Sequence, residues 1–293
     1  MPVPEAPALR CGSRVLDLAR PRIMGVLNVT PDSFSDGGAY ARPEQALARA
    51  RAMVEAGADL IDIGGESTRP GAEPVSLAEE RRRVLPVVEA LHAELDVTVS
   101  VDSMKPQVMR EAVAAGAGLL NDVNGFRADG AQEAATRAAR DHGAALCVMH
   151  MQGEPQSMQR APHYGDVVAE VGAFLTERAR GLEAAGVPPG QILLDPGFGF
   201  GKTLQHNVTL FRGLRRLARS GWPLLVGVSR KSMIGALLGD RPVAERDPGS
   251  VIAALLAVQQ GARIVRVHDV AQTRDALALY YALNPDSRRG RHQ

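Results

Sequence analysis

The sequence predicts a single (β/α)₈ barrel, the TIM-barrel architecture, in which eight parallel strands alternate with helices and close into a ring. Short runs rich in valine, isoleucine and leucine recur eight times between residues 23 and 270. Stretches rich in alanine, arginine and glutamate separate these runs and have the spacing of helices. The runs also lack regular polar alternation, which is typical of parallel strands that helices cover from outside.

Each run has the length of a strand. The predicted strands are, in chain order, 23–30, 59–65, 97–103, 118–125, 145–151, 191–199, 223–230 and 263–270. Helices are predicted between them, for example over 44–56, 77–93 and 248–260. The segments AMVEAGADLIDI, EAVAAGAGLLNDV and AVQQGARIVRV repeat one join, in which a helix ends at a glycine and a strand follows.

The repeat also sets the expected domain organisation. We expect 23–285 to form one catalytic domain, because eight such units in about 250 residues match a closed barrel. Residues 1–22 precede the repeat, and we expect them to pack on the barrel bottom. Residues 286–293 are predicted to be a disordered basic tail. An open, doubly wound sheet is the alternative architecture that the alternation permits.

Composition excludes several classes of protein. A net charge of +1 argues against a surface built for nucleic acid, which needs an excess of lysine and arginine on one face. Cys11 and Cys147 are too few for a disulfide framework or a cysteine-based metal site. The amino terminus lacks a signal-peptide pattern, and no stretch approaches the ~20 apolar residues of a membrane span. We therefore expect a cytoplasmic protein that binds neither nucleic acid nor membrane.

Polar side chains follow the predicted strands at their carboxyl ends, where a barrel of this type has its active site. Asp102, Asn121 and Asp195 are rich in hydrogen-bond acceptors and suit the amino and ring N–H groups of a flat heterocycle. Asp and Asn after a strand also often cap the next helix. We assign Asp122 and Asp269 to that structural role.

Cationic side chains end the last two predicted strands. Residues two apart in a strand share a face, so Ser229 with Lys231, and Arg266 with His268, are expected to point together into the cavity. They supply donors and positive charge for an anion, although Lys231 and Arg266 could also be surface charges in loops. His150 is interpreted as a hydrogen-bonded structural residue. The two clusters together predict a two-part or zwitterionic substrate.

Three glycine-rich loops accompany these strand ends. NVTPDSFSDGG predicts a long mobile loop, in which Phe34 is either a lid residue or an anchor. GGESTRPGAEP offers backbone N–H groups, hydroxyls and Arg69 to an oxyanion, or is an ordinary turn. DPGFGFGKT is no phosphate loop, because Pro196 stands where GxxxxGK[ST] requires glycine. Its glycines more simply let the backbone turn and expose Phe200.

The motifs taken together resemble one family. NVTPDSFSDGG, DIGGESTRPGA, VSVDS, NDVNG, MHMQG, LDPGFGFGKT, GVSRKS and VRVHDV stand in the order found in dihydropteroate synthases, between about residues 23 and 270. The departures are small. Ser103 stands where the family often has threonine, and Glu154 where a small hydroxyl residue is common.

The resemblance implies a function: condensation of 6-hydroxymethyl-7,8-dihydropterin diphosphate with p-aminobenzoate to give 7,8-dihydropteroate and pyrophosphate. It also implies a set of residues for the pterin and its leaving group. The pterin pocket would comprise Thr68, Asp102, Asn121, Met149, Asp195 and Lys231. The diphosphate site would comprise Asn28, Arg69, Arg266 and His268.

The remaining implications concern the second substrate, the metal and the assembly. The p-aminobenzoate pocket would comprise Phe34, Pro70, Phe200 and Ser229. Mg²⁺ would be held near Asn28 and Asp36, and the family is typically a homodimer. No HExxH, paired CxxC or EF-hand motif is present, so we expect the ion to arrive with the diphosphate.

An SN1-like mechanism follows from this assignment. Pyrophosphate would leave before the amine attacks, because ring nitrogens can delocalise the positive charge on the exocyclic carbon. Four residues are expected to be catalytic: Asp102, Asp195, Lys231 and Arg266. The two carboxylates would favour the cation, while the metal and the cationic side chains would stabilise the leaving anion.

Three other functions are compatible with a barrel of this kind. A corrinoid-dependent methyltetrahydrofolate methyltransferase would also bind a pterin, but it has no need of STRPG or SRKS as a diphosphate site. A non-catalytic pterin-binding paralogue should have lost loop or cationic residues that are present here. A sugar-phosphate lyase would need a Schiff-base lysine within a strand, whereas Lys231 lies after one.

Overall fold

The structure, a computed structural model, describes residues 8–30, 41–67 and 71–284. A hairpin precedes the barrel and consists of β1 (Ala8–Cys11) and β2 (Arg14–Asp17). The barrel strands are β3 (Arg22–Asn28), β4 (Leu60–Gly64), β5 (Thr98–Asp102), β6 (Leu119–Asp122), β7 (Ala145–Met149), β8 (Ile192–Asp195), β9 (Leu224–Val226) and β10 (Ala262–Val267).

Helices connect these strands. They are α1 (Ala41–Glu55), α2 (Leu77–Glu94), α3 (Pro106–Ala114), α4 (Ala131–His142), α5 (Val167–Ala184), α6 (Leu204–Arg212), α7 (Leu214–Leu217), α8 (Ser232–Leu237), α9 (Asp247–Gln259) and α10 (Val270–Leu283). The three helices predicted from the sequence, α1, α2 and α9, begin and end within three residues of the expected bounds. In the described part of the chain, no helix is both long and apolar enough to span a membrane.

The eight strands β3 to β10 form a closed, parallel barrel. Each strand pairs with the next in chain order, and β10 pairs with β3 to close the ring. The predicted barrel is therefore confirmed, and the open-sheet alternative is wrong. Closure places the carboxyl ends of all eight strands around one opening, here called the barrel mouth.

Apolar side chains fill the barrel interior at the opposite end from the mouth. The cluster contains Leu9, Cys11, Leu18, Met24, Leu60, Leu119, Ala145, Cys147, Leu193, Leu225 and Ile264. Hairpin residues are thus packed against the first residues of the barrel strands. The hairpin is also tied down by its backbone, because the Gly12 N–H donates to the Gly143 carbonyl at 2.8 Å. How far residues 1–22 as a whole cover the bottom stays a prediction, since 1–7 lie outside the described residues.

Two acidic residues assigned to structural roles differ in what they do. Asp269 caps α10, accepting a hydrogen bond from the Gln272 N–H at 3.0 Å, as expected. Asp122 caps no helix, and that detail of the prediction is wrong. Its carboxylate instead accepts from the N–H groups of Asn124 and Phe126 and closes the turn after β6.

The prediction that strand alternation points Ser229 and Lys231 together into the cavity is also wrong, although both residues reach the mouth. β9 ends at Val226, and Arg230 between the two has a φ of 58°, in the left-handed region. Arg230 is held there by its ion pair with Asp247 at 2.6 Å and by its N–H, which donates to Ser250 Oγ at 2.9 Å. A tight turn, and not strand alternation, therefore positions these side chains.

Candidate active site

The barrel mouth brings together polar residues from distant parts of the sequence. Asp102 ends β5 and Asp195 ends β8, while Arg266 lies in β10. Arg266 Nη2 donates a hydrogen bond to Asp102 Oδ2 at 3.3 Å. Lys231, which directly precedes α8, lies within electrostatic range of Asp195 and Arg266. The four residues expected to be catalytic thus lie in one site.

A third carboxylate, which the sequence reasoning missed, lies at the centre of this site. Asp62 is fully buried in β4, and its Oδ2 accepts a hydrogen bond from Arg266 Nε at 2.6 Å. Its Oδ1 accepts from the Ser100 hydroxyl at 2.6 Å. Asn121 Nδ2 also donates to Asp62 Oδ2, at 3.3 Å. The signal was present in the run DLIDIGG, because a charged residue in mid-strand of a buried run requires a partner.

Burial changes the titration of the charged groups at the mouth. Burial, followed by the negative charge of Asp62, raises the pKa of Asp102 to about 8. Burial also raises the pKa of Asp195, against the influence of Lys231. It lowers the pKa of Lys231 to about 8, and Asp195 limits the fall. Burial would lower the pKa of Arg266, but Asp62 and Asp102 raise it above its ordinary value.

The charges of this cluster do not balance. Three carboxylates share the site with two cations, so one negative charge is left over when all five groups are ionised. A buried excess charge is costly unless the site takes up a proton or a positive ligand. The cluster is therefore suited to a ring that carries or develops positive charge.

One wall of the mouth is apolar and ends in an aromatic ring. Met149 and Met151 belong to a small cluster of buried side chains with Val123 and Met158, and Phe200 packs against it. The Lys231 ammonium lies 4.7 Å from the centre of the Phe200 ring, within the range of a cation–π contact. A flat ligand would thus have an apolar surface beside the charged cluster.

The loop that carries Phe200 is fixed by a buried lysine. Lys202 Nζ donates to the carbonyls of Gly197 at 2.9 Å and Phe200 at 3.0 Å, and lies 2.9 Å from His150 Nδ1. Gly197 has a φ of 67°, and a Cβ there would meet the His150 carbonyl at 1.9 Å. The Lys202 ammonium is thus engaged with carbonyls of its own loop.

His150 plays the structural role expected of it. Its ring lies edge-on to Phe174, with ring centres 5.0 Å apart. Burial, together with the positive charge of Lys202, lowers its pKa to about 3. A neutral imidazole Nδ1 can then accept a hydrogen bond from the Lys202 ammonium.

The remaining predicted residues occupy the rim of the mouth. Ser229 Oγ lies 3.0 Å from His268 Nδ1 and accepts from the His268 N–H at 3.2 Å. Asn28 ends β3, and its Oδ1 lies 3.5 Å from the position that a Cβ on Gly64 would take. Among the residues that the structure describes, no three or more His, Cys, Asp or Glu side chains form a group that could hold a metal.

The predicted residues of the first two loops, Phe34, Asp36, Thr68, Arg69 and Pro70, lie outside the described residues. The start of the second loop is nevertheless anchored. Lys105 bridges Glu66 and the buried Glu80, and Arg83 donates to the Gly65 carbonyl at 2.9 Å.

Comparison with known proteins identifies the family. A family model described as "Pterin binding enzyme" matches residues 24–268. The dihydropteroate synthase of Escherichia coli K12 is 50% identical, over 91% of this chain and 93% of that protein. The dihydropteroate synthase of Neisseria meningitidis serogroup C is 52% identical, over 94% of this chain and 96% of that protein.

Solved structures agree with these relatives. Dihydropteroate synthase from Xanthomonas albilineans with 4-aminobenzoic acid has a TM-score of 0.88 and 52% identity, covering 95% of this chain and 98% of that one. The Burkholderia cenocepacia enzyme complexed with 7,8-dihydropteroate has a TM-score of 0.86 and 50% identity, covering 96% and 98%. This chain is therefore a transferase and belongs to the dihydropteroate synthase family of pterin-binding enzymes.

Proposed function

We propose that this chain joins 6-hydroxymethyl-7,8-dihydropterin diphosphate to p-aminobenzoate and releases 7,8-dihydropteroate and pyrophosphate. The observation that carries the proposal is the barrel mouth, where buried acceptors and cations lie side by side next to an apolar wall. Relatives about half identical to this chain have been solved with 4-aminobenzoic acid and with 7,8-dihydropteroate.

The pterin ring would occupy the acceptor-rich half of the mouth. Asp102, Asn121 and Asp195 offer oxygens to the amino and ring N–H groups. Met149 would lie against the ring face and Lys231 would meet the ring edge. Thr68, outside the described residues, is proposed to stand beside them.

The diphosphate would lie on the cationic rim. Arg266 and His268 supply donors there, and Arg69 is proposed to join them. The Asn28 amide oxygen is a hard ligand of the kind that Mg²⁺ accepts, and Mg²⁺ is usually held by one or two protein oxygens together with phosphates. Asn28 with Asp36 therefore fits the metal, which when bound would neutralise charge on the diphosphate.

p-Aminobenzoate would bind at the outer edge of the mouth. Phe200 supplies an aromatic face, and Ser229 supplies a hydroxyl within 3.0 Å of His268. Phe34 and Pro70 are proposed to complete this pocket from the two loops.

The chemistry requires charge stabilisation and no covalent protein intermediate. The carbon–oxygen bond to the diphosphate breaks first, and the electron pair leaves with pyrophosphate. The ring nitrogens share the positive charge, which in turn favours the ionised forms of Asp102 and Asp195. Each carboxylate then stabilises the cation by roughly 2–4 kcal/mol. Lys231 and Arg266 hold the two halves of the substrate in place. The arylamine nitrogen then forms the new bond to carbon and gives up one proton, which leaves with the pyrophosphate or to solvent.

An assay of pyrophosphate release with each substrate omitted in turn tests this proposal. We expect release that depends on the pterin diphosphate, and dihydropteroate that forms only when p-aminobenzoate is added. Transfer of a methyl group from methyltetrahydrofolate, without pyrophosphate release, would instead indicate the corrinoid-dependent reaction. Binding of the pterin diphosphate without turnover would indicate a non-catalytic paralogue.

We also propose that the chain forms a homodimer through an apolar surface on α8 and α9. Ile252 and Leu256 of α9 are exposed, as are Leu237, Leu238 and Val243 nearby, with Ile252 59% exposed. Several exposed large apolar side chains on neighbouring elements are typical of an association site. Sedimentation velocity should give twice the mass of the 31.1 kDa chain, and Ile252→Glu should give the monomer.

A cytoplasmic location is proposed as well, consistent with two buried free cysteines.

A further inference from the structure

We propose that Asp62 is a positioning residue that fixes the side-chain amide of Asn121 with its oxygen toward the barrel mouth, so that the pocket selects a heterocycle with an N–H donor at that edge. The inference deepens the proposed function and rests on it, because the ligand in question is the pterin ring. Asp62 itself touches no substrate in this account.

The direction of the Asn121 amide follows from hydrogen-bond chemistry. Asn121 Nδ2 lies 3.3 Å from Asp62 Oδ2, and only the NH₂ end of an amide can donate to a carboxylate. The opposite amide orientation would place two oxygens against each other. Asp62 therefore sets which end of Asn121 is left for other partners.

Strand register shows where the other end points. Asp62 pairs with Ser100, and Ser100 pairs with Leu119, whereas Asn121 pairs with Asp102, two residues nearer the mouth. The Nδ2 group consequently reaches down one layer of the barrel to Asp62. The Oδ1 atom, on the other branch of the amide, points away from Asp62 toward the level of Asp102.

That oxygen has no hydrogen-bond partner in the described part of the chain, although Asn121 is only 3% exposed. A buried acceptor without a donor is unfavourable, and native proteins rarely leave one unless a ligand or water completes it. Asn121 Oδ1 is therefore an acceptor held ready for a ligand N–H. A ring nitrogen without hydrogen would be disfavoured there, because its lone pair would face the lone pairs of Asn121 Oδ1.

Asp62 is itself held firmly enough to play this role. Ser100 donates to its Oδ1 at 2.6 Å, and Arg266 Nε donates to its Oδ2 at 2.6 Å. The same carboxylate thereby fixes Arg266, whose Nη2 still reaches Asp102. One buried residue thus orients groups proposed for both the ring and the diphosphate.

An exchange of the two side chains tests the inference. Calorimetry measures the Kd of 6-hydroxymethyl-7,8-dihydropterin, which has the reduced ring of the substrate but no diphosphate and so leaves Arg266 largely out of the comparison. We expect Asp62→Asn to weaken binding three- to tenfold, because an amide at position 62 no longer dictates the orientation of Asn121. Asn121→Asp should weaken it at least tenfold, because two carboxylates then face each other.

The double variant, Asp62→Asn with Asn121→Asp, keeps the total charge and restores one donor facing one acceptor between the two positions. Arg266, which donates to the same Asp62 oxygen in the wild type, is then left to Asp102. We expect it to recover at least threefold of the affinity lost in Asn121→Asp, whereas independent roles would make it the weakest of the three. A double variant no better than Asn121→Asp overturns the inference, as does an Asp62→Asn Kd within twofold of wild type. The melting temperature of each variant separates misfolding from a binding effect.

If Asp62→Asn does not fold, Ser100→Ala provides a second arm. It removes only the hydroxyl that steadies Asp62 Oδ1, and we expect a two- to fivefold loss of pterin affinity with the KM for p-aminobenzoate unchanged. Unchanged pterin affinity counts against the inference. Failure of the proposed function is recognised separately, because it would appear as absence of pyrophosphate release by the wild-type protein, which the binding comparison does not use.

Discussion

Replacement of Lys202 by methionine is expected to loosen the loop that carries the Phe200 ring. Lys202 is 3% exposed, and its ammonium donates to the carbonyls of Gly197 and Phe200 at 2.9 and 3.0 Å. It also lies 2.9 Å from His150 Nδ1. Methionine has a similar length and an apolar end, so it fills the space but satisfies none of these acceptors.

The magnitude follows from the groups left without partners. A buried acceptor that loses its donor costs roughly 1–3 kcal/mol, while removal of a buried charge offsets part of the loss. Three carbonyls, of which that of His150 is the most distant at 3.4 Å, and the His150 ring nitrogen lose this donor. We therefore expect the free energy of unfolding to fall by about 2–4 kcal/mol. At about 2–4 °C per kcal/mol for a large domain, the melting temperature should fall by about 4–16 °C.

The measurements are thermal unfolding and the two KM values of the synthase assay. The KM for p-aminobenzoate should rise several-fold, because the Phe200 carbonyl is released, while that for the pterin diphosphate changes less. Tyr164→Phe is the matched control, since it removes one hydrogen bond to the same loop, from the tyrosine hydroxyl to the Gly201 carbonyl at 2.8 Å. It should cost only about 1 kcal/mol. A Lys202→Met protein that melts within 2 °C of wild type would refute the reasoning.

Three further predictions concern the charged cluster. Asp195→Asn should lower kcat by roughly 10²-fold or more while the fold is retained, because a carboxylate that stabilises the cation is lost; a kcat near wild type would remove Asp195 from that role. Arg266→Ala should weaken binding of the pterin diphosphate more than binding of 6-hydroxymethyl-7,8-dihydropterin in calorimetry, and equal losses of affinity would contradict its placement at the diphosphate. The folded pKa of Asp102, raised to about 8, means that the folded state binds the extra proton. Its stabilising contribution is complete below the unfolded pKa, near 4, and is lost as pH rises through about 8. Urea unfolding of wild type and Asp102→Asn across that range should show their difference in stability changing with pH, and a constant difference would contradict the shift.

The strand ends were the most predictable part of the molecule. Asp102 and Asp195 were found from sequence because each directly ends an apolar run, and a closed parallel barrel leaves one place for such residues. Arg266 was found as a cation near the end of the last predicted strand, on the same face as His268, and it lies within β10. Asp62 was missed because it stands between isoleucines in the middle of a strand and not at an end.

Local geometry was less predictable than topology. Ser229 and Lys231 reach the site through a left-handed residue, Arg230, which sequence periodicity cannot indicate because Asp247 and Ser250 from α9 hold it there. The tether made by Lys202 depends likewise on carbonyl groups brought together only by the fold. Contacts between segments far apart in sequence are invisible to local pattern.

The two cysteines offer a way to separate two kinds of opening. Cys11 lies on the hairpin and Cys147 inside the barrel, and burial raises the pKa of both thiols. Neither can react with an alkylating reagent until water reaches it. Detachment of the hairpin alone would expose Cys11, whereas Cys147 requires the ring of strands to part. Their labelling rates under native conditions should therefore differ, and the gap between them would measure how independently the hairpin lifts from the body of the enzyme.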